Sequence, residues 1–114
     1  MSVPSAGELI DHMAEAAGQA VTYVEGLSKE DFLTDKRTQQ AVILNLIILG
    51  EAATKLMDRY PDVAAANAGI PWQSMRGMRN RIAHGYYDIN LDVVWETVSV
   101  ALPELVVGLG EVTL

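Results

Sequence analysis

Apolar residues recur along this chain at intervals of three and four, the spacing that places them on one side of an α-helix. Ser5 followed by Glu8 forms a capping box, in which each side chain accepts a hydrogen bond from a free backbone N–H at a helix start. Gly26 is expected to end this helix, because glycine adopts the left-handed conformation of a helix end at little energetic cost. The pattern predicts a first helix between these signals, with an apolar stripe made of Leu9, Ile10, Met13, Ala17, Ala20, Val21 and Val24.

A second, longer helix is predicted from about Thr34 to Tyr60, ending before Pro61. A short helical turn capped by Ser28 is expected to precede it. The middle of the long helix, AVILNLIILGEAA, is apolar nearly all round. Such a helix is buried on more than one side, so it is either central to a bundle or shared with another subunit. The second possibility predicts an oligomer.

The remainder of the chain also reads as helical. Residues 61–70 are expected to form a loop or a short irregular helix, and Pro71 suits the first position of a third helix that Gly85 closes. Asn90 is the expected N-cap of the last helix, in which Pro103 is expected to bend or break the backbone. No strand pattern, repeat or linker is evident. The sequence therefore predicts an all-α, up-and-down bundle of four main helices plus short helical turns, in a single domain spanning residues 1–114.

Composition narrows the class of protein. The chain has 114 residues, half of them hydrophobic, which is enough for one domain with a core. It has no cysteine, which excludes disulfides, thiolate metal sites and a cysteine nucleophile. Its first residues, MSVPSAGELIDHM, lack the basic region of a secretory signal, and the apolar run at residues 41–49 is shorter than the ~18 residues of a membrane span. A soluble, cytoplasmic protein is expected.

Charge is distributed unevenly along the chain. The net charge of −7 has the wrong sign for a general nucleic-acid binder, whose affinity comes largely from phosphate contacts. Yet no acidic residue lies between Asp62 and Asp88, a segment that contains three arginines and a histidine. This segment predicts a local positive patch, made of Arg76, Arg79, Arg81 and His84.

The candidate site is the stretch RNRIAHGYY, residues 79–87, with Arg79, Asn80, His84 and Tyr86 as its chemical groups. At about 100° per residue, positions 79 and 84 lie about 140° apart around a helix and do not share one face. Two copies of the helix facing each other across a two-fold axis could bring Arg79 of one chain near His84 of the other. The spacing favours a composite site at a dimer interface.

These residue types suit metal-independent cleavage of RNA. A histidine can take or give a proton at neutral pH, and two symmetry-related histidines could divide the acid and base roles. An arginine presents a planar cationic fork to phosphate oxygens. The sequence has neither a metal-ligand motif nor a glycine-rich phosphate loop, so no metal or cofactor is predicted. The residue types alone also allow a second explanation. Positive side chains at the end of a helix are favoured by the helix dipole, so this stretch could simply be a cluster of solvated charges.

The stretch also resembles the R-x4-H-x-Y signature of HepT-type toxins, a branch of the HEPN superfamily. Arg79, His84 and Tyr86 fall on the signature residues, and Asn80 on the polar residue that usually follows the arginine. The likeness extends over nearly the whole chain, through YVEGLSKEDFLTDKRTQQAVILNLIILGEA, LGEAATKL, IPWQSMRGMRNRIAHGYYDINLDVVWETV and LPEL.

The resemblance implies a helical homodimer that acts as a metal-independent ribonuclease toxin. Arg79 and His84 of both chains would line a cleft between the subunits. The family's usual partner is a minimal nucleotidyltransferase antitoxin, which attaches AMP to the motif tyrosine, here Tyr86. A bulky anionic group at that position would keep RNA out of the cleft.

Two other functions stay open at this stage. One is a non-catalytic helical module that binds a nucleotide or its nucleotidyltransferase partner. The other is a plain dimeric bundle in which His84 only ends a helix.

Several further residues carry expectations. Arg76 and Arg81 are either accessory RNA-phosphate contacts or solvated charges. Glu51 is either a buried partner that orients an arginine or a residue on an exposed helix face. Asn45 is expected to be a buried polar group that fixes helix register, and His12 to be ordinary helix surface. Both tryptophans are expected to anchor the core, at positions 72 and 95.

Overall fold

A computed structural model describes residues 3–114, and within that range the chain is helical with no strand. The helices are α1 (Ala6–Tyr23), α2 (Lys29–Leu33), α3 (Lys36–Arg59), α4 (Pro61–Ala66), α5 (Trp72–His84), α6 (Leu91–Glu96) and α7 (Leu102–Gly110). A 3-10 turn, Tyr86–Asp88, follows α5, and a π-helical turn, Thr97–Ala101, joins α6 to α7. The all-α class is confirmed, with α1, α3, α5 and the continuous α6–α7 rod as the four main helices.

The predicted caps of the first two helices are present. The backbone N–H of Glu8 donates to Ser5 Oγ at 3.1 Å, and the backbone N–H of Ser5 donates to the Glu8 carboxylate at 3.2 Å. Ser28 and Asp31 make the same reciprocal pair at the start of α2. Gly26 adopts φ 77°, the left-handed conformation expected after α1. Local sequence therefore sets where α1 begins and where the chain turns after it.

Hydrogen bonds between distant segments define one end of the bundle. The Tyr60 hydroxyl donates to the Pro4 carbonyl at 2.7 Å, which places the end of α3 beside the start of α1. The Asn67 side chain and the Thr113 backbone exchange two bonds of 2.9 and 3.0 Å, which brings the end of α7 to the segment before α5. Helix starts and helix ends alternate at this one end, so the main helices run up and down in turn.

Helix α3 lies in the middle of the bundle, packed against α1 on one side and α5 on the other, while α1 also packs against α7. The most deeply buried side chains come from α1, α2, α3 and the α6–α7 rod, but not from α5; they are Leu9, Met13, Phe32, Val42, Leu56, Val94 and Val98. The expectation that α3 is buried on more than one side is confirmed. Its remaining side is open, because Leu44 and Ile48 are 56% and 41% exposed.

The last helix begins at the predicted cap, where the Asn90 side chain accepts from the backbone N–H of Asp92 at 2.9 Å. Pro103, which was expected to bend or break this helix near Ala101, does not break it, but the backbone is distorted at that place. The chain instead widens into the π turn, in which the backbone N–H of Leu102 reaches the Thr97 carbonyl five residues back. In a regular α-helix the Pro103 ring would crowd the carbonyl four residues earlier, which lies inside this π turn. The helix therefore continues past Pro103, with one turn of wider π-helical hydrogen bonding.

Two helical stretches, Lys36–Arg59 and Leu91–Gly110, are long and apolar enough to cross a membrane by length and composition alone. The core helix of a soluble protein passes the same test, and half of the apolar window in α3 is buried inside this bundle. The finding is weak support for a membrane span.

Candidate functional site

The candidate site lies at the end of α5, a helix fixed firmly at its start. Trp72 is buried, and its indole N–H donates to the Ala64 and Asn67 carbonyls, each at 3.1 Å. Met75 and Ile82 bury the inward side of the helix. Gly85 ends it, with its backbone N–H donating to the Arg81 carbonyl at 3.1 Å. Arg79, Asn80 and His84 are therefore carried on a helix rather than on a loop, whereas Tyr86 follows the helix end.

Arg79 lies half-buried between α5 and α3. Its Nη1 donates to Glu51 Oε1 at 2.5 Å, and its Nε donates to the neighbouring Asn80 Oδ1 at 3.0 Å. The Arg79 side chain is 21% exposed and that of Glu51 is 48% exposed. The expectation that Glu51 orients an arginine agrees with this contact, although the carboxylate is not buried.

Gly50 creates the space in which Arg79 lies. A Cβ atom at Gly50 would fall 2.4 Å from Arg79 Cβ and 2.8 Å from the Met75 carbonyl oxygen. Real Cβ atoms essentially never approach other atoms that closely, so α3 and α5 can touch here only through glycine. The sequence prediction missed this role, although a glycine inside an otherwise apolar helix was the available signal.

His84 is the last residue of α5, and its side chain is exposed. The His84 imidazole makes no hydrogen bond or ion pair with any residue in the range 3–114. On the same helix it lies about 140° around the axis from Arg79, on the side facing away from Met75 and Ile82. One chain therefore carries the arginine and the histidine of the motif on different sides of one helix.

Tyr86 and Tyr87 occupy the 3-10 turn after α5. Tyr86 is 47% exposed and Tyr87 is 97% exposed, with their rings edge to face at 6.2 Å between centroids. Within the described part of the chain neither hydroxyl has a hydrogen-bond partner. Both phenols are therefore accessible, and accessibility alone does not choose between them.

The predicted positive patch is largely neutralised by α3. Arg76 Nη2 donates to Asp58 Oδ1 at 2.8 Å, and Arg79 pairs with Glu51. Arg81 is exposed and has no ion pair among residues 3–114. The segment from 63 to 87 lacks acidic residues in sequence, but the neighbouring helix supplies two carboxylates in space.

Arg81 lies beside a groove that separates α5 from the C-terminal rod. The groove consists of two adjoining cavities of about 240 and 270 Å³, and Met78, Arg81 and Val93 line both. The walls are mainly apolar. Arg81 is thus placed away from the contact between α3 and α5 that holds Arg79.

The other expectations have clear outcomes. Asn45 is buried, but it donates to the Ala41 carbonyl of its own helix at 3.0 Å, so it makes no interhelical bond that would fix register. His12 is exposed on α1, as expected. Trp72 is buried, as expected of a core anchor. Trp95 is half-buried, and its ring centroid lies 5.4 Å from that of the buried Phe32. Residues 3–114 contain no group of three or more side chains suited to hold a metal ion.

Comparison with known proteins identifies the family. The pattern of the family described as "Ribonuclease HepT-like" matches residues 13–111. A "Probable ribonuclease HepT" of Thermococcus cleftensis is 35% identical over 98 residues, which cover 86% of each chain. Among solved structures there is no significant match to this chain.

Two further relatives are named as candidate RNases. The one from Caldanaerobacter subterraneus subsp. tengcongensis is 30% identical over 96 residues, covering 84% of this chain and 83% of the relative. The one from Methanocaldococcus jannaschii is 30% identical over 96 residues, covering 81% of this chain and 74% of the relative. The family match spans nearly the whole helical bundle, including α5 and the tyrosine turn. The chain belongs to the HepT-like ribonuclease family.

Proposed function

We propose that this chain is a toxin-type endoribonuclease that cleaves RNA without a metal ion, at a site built from Arg79 and His84 of two subunits. The observation that carries the proposal is the arrangement of α5. Arg79 is held against α3 by Glu51, while His84 projects from another side of the same helix. Two copies of α5 related by a two-fold axis would place both groups around one phosphate, and membership of a ribonuclease family supports RNA as the substrate.

The open side of α3 supports a dimer that brings these residues together. Leu44 and Ile48 are large, exposed apolar side chains that precede Glu51 on the same helix by about two turns and one turn, respectively. A second copy covering this side would bury the apolar pair next to the Arg79–Glu51 contact. The dimer contact and the composite site would then be parts of one interface.

The reaction follows from the chemistry of these groups. One neutral His84 takes the proton from a ribose 2′-hydroxyl, and the oxygen forms a bond to the adjacent phosphorus. The bond from phosphorus to the 5′-oxygen breaks, and the protonated His84 of the partner subunit gives its proton to that oxygen. Arg79 balances the negative charge of the phosphorane. The products are a 2′,3′-cyclic phosphate and a 5′-hydroxyl.

Tyr86 gives the site a means of control within the same proposal. A nucleotidyltransferase antitoxin would transfer AMP from ATP to the exposed phenol oxygen, which loses its proton, and would release pyrophosphate. The added phosphate would lie two residues from His84 and repel the RNA backbone. The mechanism therefore assigns Tyr86 to regulation, with Asn80 supporting the arginine and Arg76 and Arg81 as accessory RNA contacts.

The first test compares cleavage of an RNA oligonucleotide in a chelator with cleavage of the same sequence carrying 2′-deoxyribose. Cleavage of the RNA alone is expected, because the mechanism needs the 2′-oxygen and no metal. Arg79→Ala and His84→Ala should each lower the cleavage rate at least about 100-fold, the size typical of losing an acid–base group or an oxyanion contact.

The matched controls replace one arginine and one histidine that lie outside the candidate site. Arg37→Ala and His12→Ala, both at exposed positions, should retain near wild-type rates, and circular dichroism should report a folded protein for all four variants. Chelator-sensitive cleavage would contradict the mechanism. Retained activity in both Arg79→Ala and His84→Ala would place the site elsewhere, and complete inactivity of the wild type on RNA would favour the non-catalytic module.

A further inference from the structure

We infer that Gly50 and Glu51 of α3 are positioning residues that hold Arg79 in its reactive orientation, an inference that rests on the proposed function. Neither residue lies in the R-x4-H-x-Y stretch, and neither needs to touch RNA. They act on the reaction only through the arginine. The contact between two helices would thus set the geometry of a group that the motif supplies.

Gly50 acts by being small. The atoms nearest its missing Cβ are Arg79 Cβ at 2.4 Å, the Met75 carbonyl oxygen at 2.8 Å and Arg79 Cγ at 3.0 Å. The first two are backbone or attached directly to it, so they cannot swing aside as the tip of a flexible side chain could. A larger residue at position 50 must push α5 away from α3 at the level of Arg79. Glycine in a helix interior is unfavourable by itself, and close approach is the reason that this position tolerates it.

Glu51 acts by fixing the guanidinium. Its carboxylate accepts from Arg79 Nη1 while Asn80 accepts from Nε, which leaves Nη2 with no hydrogen-bond partner within residues 3–114. Because the carboxylate is 48% exposed, the pair contributes little to the stability of the fold. Its main effect is on orientation. A guanidinium held in place before the phosphate arrives loses less freedom in the transition state.

The kinetic test uses Glu51→Gln, which removes the charge but keeps the shape of the side chain. The kcat for RNA cleavage should fall about 10- to 100-fold while KM changes less than about three-fold, because the loss concerns geometry rather than substrate binding. In an Arg79→Ala background the same substitution should have no further effect, since its target is gone. Gly50→Ala should lower kcat in the same way.

Two controls remove a comparable group away from the contact. Glu25→Gln removes one exposed carboxylate, and Gly18→Ala adds a methyl group where nothing lies within 4 Å. Both should keep the wild-type kcat. The inference is overturned if Glu51→Gln keeps the wild-type kcat while Arg79→Ala loses it. It is also overturned if the double variant loses activity by the product of the two single-variant losses.

A structural readout separates this inference from the proposed function. In 15N NMR spectra the Nη1–H signal of Arg79, from the nitrogen that donates to Glu51, should exchange slowly in the wild type; its absence in Arg79→Lys assigns it. It should exchange rapidly in Glu51→Gln and Gly50→Ala, and remain slow in both controls. An exchange rate unchanged by both substitutions contradicts the positioning role even in a protein that cleaves nothing. If Arg79→Ala keeps full activity, the proposed function is wrong, and Gly50 and Glu51 then have no role in catalysis through Arg79.

Discussion

The three arginines of α5 differ in how their side chains are held. Arg79 has two hydrogen-bond partners and lies half-buried, Arg76 pairs with an exposed carboxylate of α3, and Arg81 is exposed without an ion pair in the described range. The sequence singled out Arg79 by its place in a motif. It offered Glu51 as an arginine partner only as one of two alternatives, because Glu51 is 28 residues away along the chain and is brought close only by helix packing.

A prediction at the scale of single residues concerns the two adjacent tyrosines. Coexpression with a nucleotidyltransferase of the type that partners this family should raise the intact mass of the chain by whole AMP units. Tyr86→Phe should abolish this increase, because the phenol oxygen that accepts AMP is removed. Intact mass spectrometry provides the measurement.

Tyr87→Phe is the matched control for that prediction, since Tyr87 is the neighbouring phenol and is more exposed than Tyr86. It should leave the mass increase unchanged. An increase that survives in Tyr86→Phe and disappears in Tyr87→Phe would transfer the modification site to position 87.

At the scale of elements, the caps and helix types follow from local sequence, whereas the exact ends depend on individual hydrogen bonds. Helix α3 was expected to begin near Thr34 but begins at Lys36, because Asp35 takes the N-cap position. Its carboxylate accepts from Thr38 Oγ1 at 2.6 Å and from the Thr38 backbone N–H at 3.1 Å. Thr34 and Asp35 are adjacent residues that can both cap a helix, and their order of preference cannot be decided from sequence alone.

This cap predicts a specific dependence of stability on pH. The hydrogen bond from the Thr38 side chain, followed by that from its backbone N–H, lowers the pKa of the Asp35 carboxyl below its usual range. A pKa lowered by folding adds stability that is present above the unfolded value of about 4 and is lost as the pH falls through the folded value. Asp35→Asn keeps a capping oxygen but removes the charge.

The wild type should therefore unfold at a higher temperature than Asp35→Asn at neutral pH. This difference in unfolding midpoint should shrink as the pH is lowered below about 4. Thermal unfolding followed by circular dichroism at a series of pH values measures it. Asp62→Asn, which removes a carboxylate with no ion pair among residues 3–114, serves as the control. A difference that stays constant over this range would show that the charge of Asp35 does not support the helix start.

At the scale of the whole molecule, the exposed side of α3 and the exposed His84 are the features that the proposed dimer would cover and complete. An apolar pair on a central helix is normally covered, and one chain leaves Leu44 and Ile48 open. We expect a dimer in solution, with a mass of about twice the 12.4 kDa of one chain. Light scattering coupled to size-exclusion chromatography measures this mass.

Leu44→Glu and Ile48→Glu should each shift the protein to a monomer and abolish RNA cleavage, because a carboxylate would be buried in the interface without a partner. Each variant should remain helical, since both positions are exposed in the single chain. Val107→Glu places the same charge on an exposed position of α7 and should leave the dimer intact. A wild-type protein that is monomeric at all accessible concentrations would contradict the composite site.

The sequence by itself determined the helical class, the approximate extent of each main helix, the capping residues Ser5, Ser28 and Asn90, and the motif residues of α5. These follow from hydrophobic periodicity, capping chemistry and residue spacing, which act over a few neighbouring positions. Only the tertiary structure decided that Gly50 admits Arg79, that Glu51 and Asp58 neutralise two arginines, and that the helix passes Pro103 through a π turn. Each of these depends on how distant segments pack, and packing is set by the fit of whole helices rather than by any local pattern.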